Sequence, residues 1–221
     1  MSQSNWKHYF DQKAETHGAS VKSSDYFDDA SFFMQRDHTL QWLGELAGKE
    51  ILDAGCGVGA FSEPLVGRNT VYGVDFSVKS LEFAAARGLQ TMQGDLTALQ
   101  FDTGKFDVVL CIGVIQLIEN YLPVINELAR VTKPGGLLLI QTLHRGSIQR
   151  KVLGLFEQSK KFDKMYDMDE LKSAYMQAGL ENIAFLKMYH PFQFVSSSSN
   201  SRALTDAFCT SFAIKGSKQL G

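Results

Sequence analysis

The chain has 221 residues, 44% hydrophobic and 21% charged, which suits the core of one generous α/β domain and is a squeeze for two. Its net charge of −2 supplies no basic footprint for nucleic acid. Three widely spaced cysteines (Cys56, Cys111 and Cys209) form no CxxC pair, so neither a metal site nor a disulfide framework is indicated, and reduced thiols of a cytoplasmic protein are the simplest account. The N-terminus is polar and lacks the apolar stretch of a signal peptide. The longest apolar runs, such as 136–140, are far too short to span a bilayer, so a soluble protein is expected.

Residues 1–48 carry many aromatics on segments that read as helical, either packed on the edge of a sheet or forming a lid over a site. From about Lys49 to Thr142, strand-like and helix-like segments alternate. Residues 50–53 form a short apolar run ending in glycines, a buried strand, and 60–66 reads as a helix start. Residues 69–74 are β-branched and aromatic, a second strand. Residues 77–87, with Leu81, Ala84 and Ala85 apolar, fit an amphipathic helix that Gly88 ends. A third strand at 90–93, a fourth at 106–111, a helix at 122–131 stopped by Lys133-Pro134-Gly135-Gly136, and a fifth strand at 137–141 follow. Two more helices (146–164 and 169–179) and two more strands (183–188 and 207–214) complete the chain. Continuously apolar strands separated by helices predict a doubly wound, mostly parallel sheet of seven strands with helices on both faces. On this reading 1–48 is a lid or edge segment, 49–142 a cofactor-binding core and 143–221 an acceptor-side half of a single domain.

The strongest chemical signal is DAGCGVG at 53–59. A strand opens into a tight turn whose glycines let backbone approach a ligand, beside the N-terminus of the next helix. Gly55, Gly57 and Ala60 also satisfy the G-x-G-x-x-A form of a dinucleotide fingerprint, which keeps an NAD-dependent oxidoreductase in view. Two carboxylates separate the readings. Asp75, 22 residues beyond Asp53, can accept hydrogen bonds from both hydroxyls of a ribose, a role common to both cofactor classes. Asp53, before the glycines, would repel a diphosphate and suits a ligand that carries positive charge there.

Together with QGDL around Asp95, FDVVLCIGVIQLIEN at 106–120 and KPGGLLLIQT at 133–142, these residues resemble the class I S-adenosylmethionine-dependent methyltransferases, with their Rossmann-like fold. The resemblance covers about 49–142 and, more loosely, the whole chain. It implies that Gly55 and Gly57 approach the methionine part of the cofactor through backbone, with Cys56 a small residue within the turn. It implies that Asp53 stabilises the amino-acid end and that Asp75 holds the ribose with Phe76 against adenine. Asp95 and Leu96 would meet the adenine edge and face, and backbone at Cys111 and Ile112 would close the amino-acid side. Arg36 is the candidate partner for the cofactor carboxylate. Each acidic residue has a plainer alternative as a cap of a helix or turn.

Methyl transfer from a sulfonium is an in-line displacement, so alignment supplies much of the catalysis and a general base is optional. His144 follows the fifth strand, where doubly wound folds bind ligands, and is the candidate base. Tyr26, His38, Gln116 and His190 are candidate acceptor contacts. TLHRGS after the PGG strand is similar to the quinone-pathway O-methyltransferases. Where many relatives carry a histidine after the fourth strand, however, this chain has the non-basic Gln116. The expected partner is a small-molecule methyl acceptor, with O-methylation favoured. The stretch 148–162, basic and part apolar, reads as a solvated helix covering the pocket more readily than as a contact with a membrane surface. A protein that binds S-adenosylmethionine without turnover is the third reading.

Overall fold

A computed structural model of the protein describes residues 3–24, 29–148, 164–189, 194–198 and 208–220. Tyr26, His190 and all but the first residue of the basic stretch 148–162 therefore lie outside the described residues.

Five helices and eight strands are described: α1 (Gln3–His17), α2 (Asp29–Leu43), β1 (Glu50–Ala54), β2 (Thr70–Asp75), α3 (Val78–Ala86), β3 (Gln90–Gln93), β4 (Phe106–Ile112), α4 (Leu122–Val131), β5 (Thr132–Leu143), α5 (Met168–Gln177), β6 (Leu180–Tyr189), β7 (Phe194–Ser198) and β8 (Ser211–Lys218). The strands form one sheet in the order β3-β2-β1-β4-β5-β8-β6-β7. The first five are parallel, whereas β8 runs antiparallel to β5 and β6, and β7 antiparallel to β6.

The parallel strands form where the sequence is apolar on both faces. Ile51, Leu52 and Ala54 of β1, and Val109, Leu110 and Cys111 of β4, are completely buried. Alternation splits their side chains between two cores. Leu52, Ala54, Val109 and Cys111 meet α4 and α5 through Val124, Ile125, Leu128, Leu171 and Tyr175. Ile51, Val108 and Leu110 meet α2 and α3 through Phe32, Leu43, Leu81 and Ala84. In α4 the buried Val124, Ile125, Leu128 and Val131 recur at helical spacing, which makes one apolar face. Leu128, with no exposed surface, is expected to cost about 2–5 kcal/mol when replaced by alanine, read from urea denaturation midpoints. Ser77 caps α3 by accepting from the Ser80 amide at 3.1 Å, and Gly88 follows with φ +93, a left-handed turn that favours glycine.

Three expectations need correction. The sheet has eight strands rather than seven, because 194–198, in the serine-rich run, pair with β6 as an antiparallel edge. Serines are tolerated there because an edge strand has solvent on one side. Residues 60–66 contain no α-helix, only a single 3-10 turn at Glu63–Leu65. The Pro134-Gly135-Gly136 break lies inside β5, whose first residue, Thr132, pairs with Phe106 across a register shift.

Candidate active site

In a doubly wound sheet, ligands bind beyond the carboxyl ends of strands where the order reverses. Here that point is β1, flanked by β2 on one side and β4 on the other. Register sets Asp53 beside Gly73 of β2 and Leu110 of β4, so the ends of all three strands converge. The chain leaves β1 through Gly55, Gly57 and Gly59 at φ +79, +51 and +77, backbone that L side chains adopt only under strain. A Cβ on Gly55 would stand 2.3 Å from a methyl of Val114, and one on Gly59 would stand 3.0 Å from the Ala84 backbone. Gly55 thus makes room for Val114, and Gly59 lets α3 approach.

Asp53 is 1% exposed. Its Oδ2 accepts the Ser62 hydroxyl at 2.6 Å, and no lysine or arginine of the described residues is ion-paired to it. Burial pushes its carboxyl from 3.8 up to about 7; the Ser62 hydroxyl pulls it back and the neighbouring Asp75 pushes it further up. Asp75 closes β2 with Oδ2 accepting the Gly57 amide and Oδ1 the Ser77 amide, both at 2.9 Å. Burial raises its carboxyl too, against the pull of these backbone amides. The same contacts hold the glycine turn to the end of β2, so Asp75 has a structural duty as well as free lone pairs. The Gly57 amide is therefore occupied by Asp75 rather than open to a ligand.

The remaining sequence-predicted residues sit as follows. Phe76 takes an edge contact from Phe10 of α1 at 6.0 Å. Asp95, exposed beyond β3, accepts the Thr97 amide at 2.9 Å and its hydroxyl at 2.8 Å, while Leu96 is buried beside it. Cys111 and Ile112 end β4, and burial raises the Cys111 thiol well above its ordinary range. Cys56 is buried in the turn, where burial likewise raises its thiol. Arg36 of α2 stacks on Phe33 at 4.7 Å and pairs with Asp37 at 2.8 Å, and its Nη1 points at the Ala60 carbonyl 3.5 Å away, at the exit of the glycine turn.

On the acceptor side, Gln116 is buried and its Oε1 accepts the Thr142 hydroxyl at 3.0 Å. Two residues along the same face of the chain, His144 is 6% exposed. Its Nδ1 lies 3.2 Å from the Cys209 carbonyl and its Nε2 4.0 Å from Asp167. His38 is half-buried on α2. Nearby, a cleft of about 430 Å³ opens between the β4–α4 connection and the chain beyond β5, lined by Tyr121, Arg145, Lys164, Tyr166 and Glu170 among others.

Two residues that sequence reasoning passed over belong to this region. Ser62 bonds Asp53, and Asp11 of α1 accepts the Ser77 hydroxyl at 2.6 Å, docking α1 beside Asp75. The Asp11 contact joins distant parts of the chain, and the Ser62 contact depends on how the glycine turn folds back, so neither helical nor strand periodicity announces them.

The donor set fits an aminoacyl nucleoside that carries positive charge. Two carboxylates converge at the turn, neither ion-paired to a lysine or arginine of the described residues, and an arginine stands at its exit. A diphosphate would face both carboxylates, and no α-helix follows the turn to offer its N-terminus.

Comparison with known proteins agrees. Residues 52–140 match the family model described as a methyltransferase domain. The chain is 32% identical to the ubiquinone biosynthesis O-methyltransferase of Bordetella bronchiseptica over 174 residues, 69% of this chain and 72% of that protein. It is 37% identical to the demethylmenaquinone methyltransferase of Lactococcus lactis over 121 residues, 49% of this chain and about half (48%) of that protein's length. Among solved structures, the magnesium protoporphyrin IX methyltransferase of Synechocystis, with S-adenosylhomocysteine bound, shares the fold at a TM-score of 0.73 and 20% identity, covering 99% of this chain and 100% of that one. The protein belongs to the S-adenosylmethionine-dependent methyltransferases. No described helix is long and apolar enough to cross a membrane.

Proposed function

We propose that the protein transfers a methyl group from S-adenosylmethionine to a hydroxyl oxygen of a small aromatic acceptor of the quinol or phenol type. The observation that carries the acceptor class is the match across 72% of a relative named as a ubiquinone biosynthesis O-methyltransferase. The cleft beyond β4 and β5, with Tyr121 and Tyr166 packed edge to face in its wall, gives such an acceptor a place to enter.

Bound S-adenosylmethionine supplies a methyl carbon on a positively charged sulfur. In this reading Asp53 receives the ammonium, Arg36 exchanges Asp37 for the carboxylate, and Asp75 accepts the ribose hydroxyls. Phe76, Leu96 and Asp95 meet adenine, and backbone at Gly55, Cys56, Gly57, Cys111 and Ile112 encloses the amino-acid side. Helix α1, docked by Phe10 and Asp11, acts as the lid over the nucleoside end. His144 takes the acceptor proton. The Cys209 carbonyl can only accept, so it takes a hydrogen from Nδ1, and Asp167 near Nε2 faces the imidazolium that forms. Gln116 and His38 orient the acceptor.

Incubation with methyl-labelled S-adenosylmethionine and a panel of catechols, quinols and amines tests the reading. Label in an aryl ether is expected; label on nitrogen alone, or no transfer to any of the panel, defeats it. His144→Gln is expected to lower kcat about 100-fold or more while leaving affinity for S-adenosylhomocysteine within about threefold. An unchanged kcat removes the base role.

A further inference from the structure

We propose that Ser62 is a positioning residue that favours the charged form of the Asp53 carboxyl and aims it at the cofactor's ammonium, so that cofactor binding completes the ionisation and expels a proton from the site. The proposal rests on the reading of Asp53 given above and goes beyond it, because it assigns a proton to the binding step and a residue that controls it.

The geometry is the starting point. Ser62 is fully buried and precedes the 3-10 turn Glu63–Leu65, where a serine hydroxyl ordinarily caps the helix start. It makes no such cap and donates instead to Asp53 Oδ2 at 2.6 Å, a short, charge-assisted distance. One carboxylate oxygen is thereby fixed, and the other has no hydrogen-bond donor among the described residues. That oxygen belongs to the strand end from which the glycine turn springs. A hydroxyl can donate to a carboxylate or to the carbonyl oxygen of the neutral acid, but it stabilises the charged form far more.

The groups around Asp53 offer no substitute. Asp75, from β2, repels the charged form. Cys56 in the turn and Cys111 on β4 are buried thiols held neutral. Arg36, from α2, is tied to Asp37 and reaches only the Ala60 carbonyl. Ser62 therefore provides the one neighbouring interaction that favours the carboxylate, and burial leaves the free protein poised near pH 7, with the acid and its anion both populated. An arriving ammonium selects the anion, and the proton passes to solvent.

Calorimetry with S-adenosylhomocysteine, which shares the ammonium, tests this on the full chain from about pH 5.5 to about pH 8.5. Wild-type affinity is expected to weaken about tenfold per pH unit below the Asp53 midpoint, and heats in buffers of different ionisation enthalpy should report net proton release near neutrality. Ser62→Ala is expected to move the inflection up by about one pH unit, so that binding is about fivefold weaker at pH 7, about tenfold weaker well below it, and recovers to within about threefold at the alkaline end. Ser62→Cys, which keeps a weaker donor, should fall between the two. A loss that is the same at every pH, an unmoved inflection, or absence of proton release in the wild type overturns the proposal. Asp53→Asn separates the two levels. If it binds like the wild type, the ammonium reading of Asp53 fails; if it binds weakly while Ser62→Ala keeps the wild-type profile, only the role of Ser62 fails.

Discussion

Asp75→Ala is expected to weaken binding of S-adenosylhomocysteine by two orders of magnitude or more, a larger effect than its cost to the stability of the fold. Two ribose hydroxyls donating to a carboxylate are each worth about 1.5–3 kcal/mol, and about 1.4 kcal/mol is tenfold in affinity. The loss is compounded because the same side chain holds the Gly57 and Ser77 amides at 2.9 Å, and with it gone the glycine turn is no longer fixed to β2. Stability responds less because two effects oppose. Orphaning two amides costs roughly 1–3 kcal/mol each, and removing a carboxylate that burial disfavours offsets part of that cost. Calorimetry and thermal melting on the same sample separate the outcomes. Unaltered affinity would remove Asp75 from the cofactor site.

Asp53→Asn should make the free protein more stable and the cofactor-bound protein less so. The Asp53 carboxyl is raised from 3.8 to about 7 in the fold, first by burial, so its favourable contribution to stability is fully present below about pH 4 and is lost as pH rises through about 7. Three pH units at about 1.36 kcal/mol each give a cost on the order of 4 kcal/mol above neutrality, which a neutral amide of the same shape removes in large part. Urea denaturation of the free wild-type protein should therefore show stability falling from pH 4 to pH 7 through this group, with the variant flatter and higher at pH 8. Saturating S-adenosylhomocysteine should reverse the order, because only the wild type has an anion for the ammonium. A variant no more stable than wild type at pH 8 would contradict the burial argument. A buried acid that destabilises the free fold is what a binding site accepts for charge at a dry position.

The inner strands β1 and β4 were legible because they are buried on both faces and so are apolar nearly throughout, whereas β3, an edge strand of mostly polar residues at 90–93, was placed by its position between helix and turn. α3 and α4 were legible for the matching reason, one apolar face at helical spacing with a serine cap or a proline in the first turn. The serine-rich β7 was not, since an antiparallel edge needs only free backbone groups on β6 and leaves no hydrophobic pattern. Residues 60–66 look helical, yet after the glycine turn they are drawn down by Ser62 onto Asp53 and wind only one 3-10 turn. The candidate site divides in the same way. DAGCGVG, Asp75 and Asp95 carry local signals, whereas Arg36 at the turn's exit and Asp11 on Ser77 are meetings of segments further apart in the chain, and Ser62 reaches Asp53 only because the glycine turn folds the chain back.

By itself the sequence determined that strands alternate with helices, that a glycine turn follows the first of them, and which carboxylates stand at the strand ends, because these depend on backbone conformation and on burial within a few residues. Only the tertiary structure decided the edge of the sheet, the dock of α1 beside Asp75, and the state of the Asp53 proton. Each of those is a balance of desolvation against partners that the chain brings from a distance, and no local window contains both sides of such a balance.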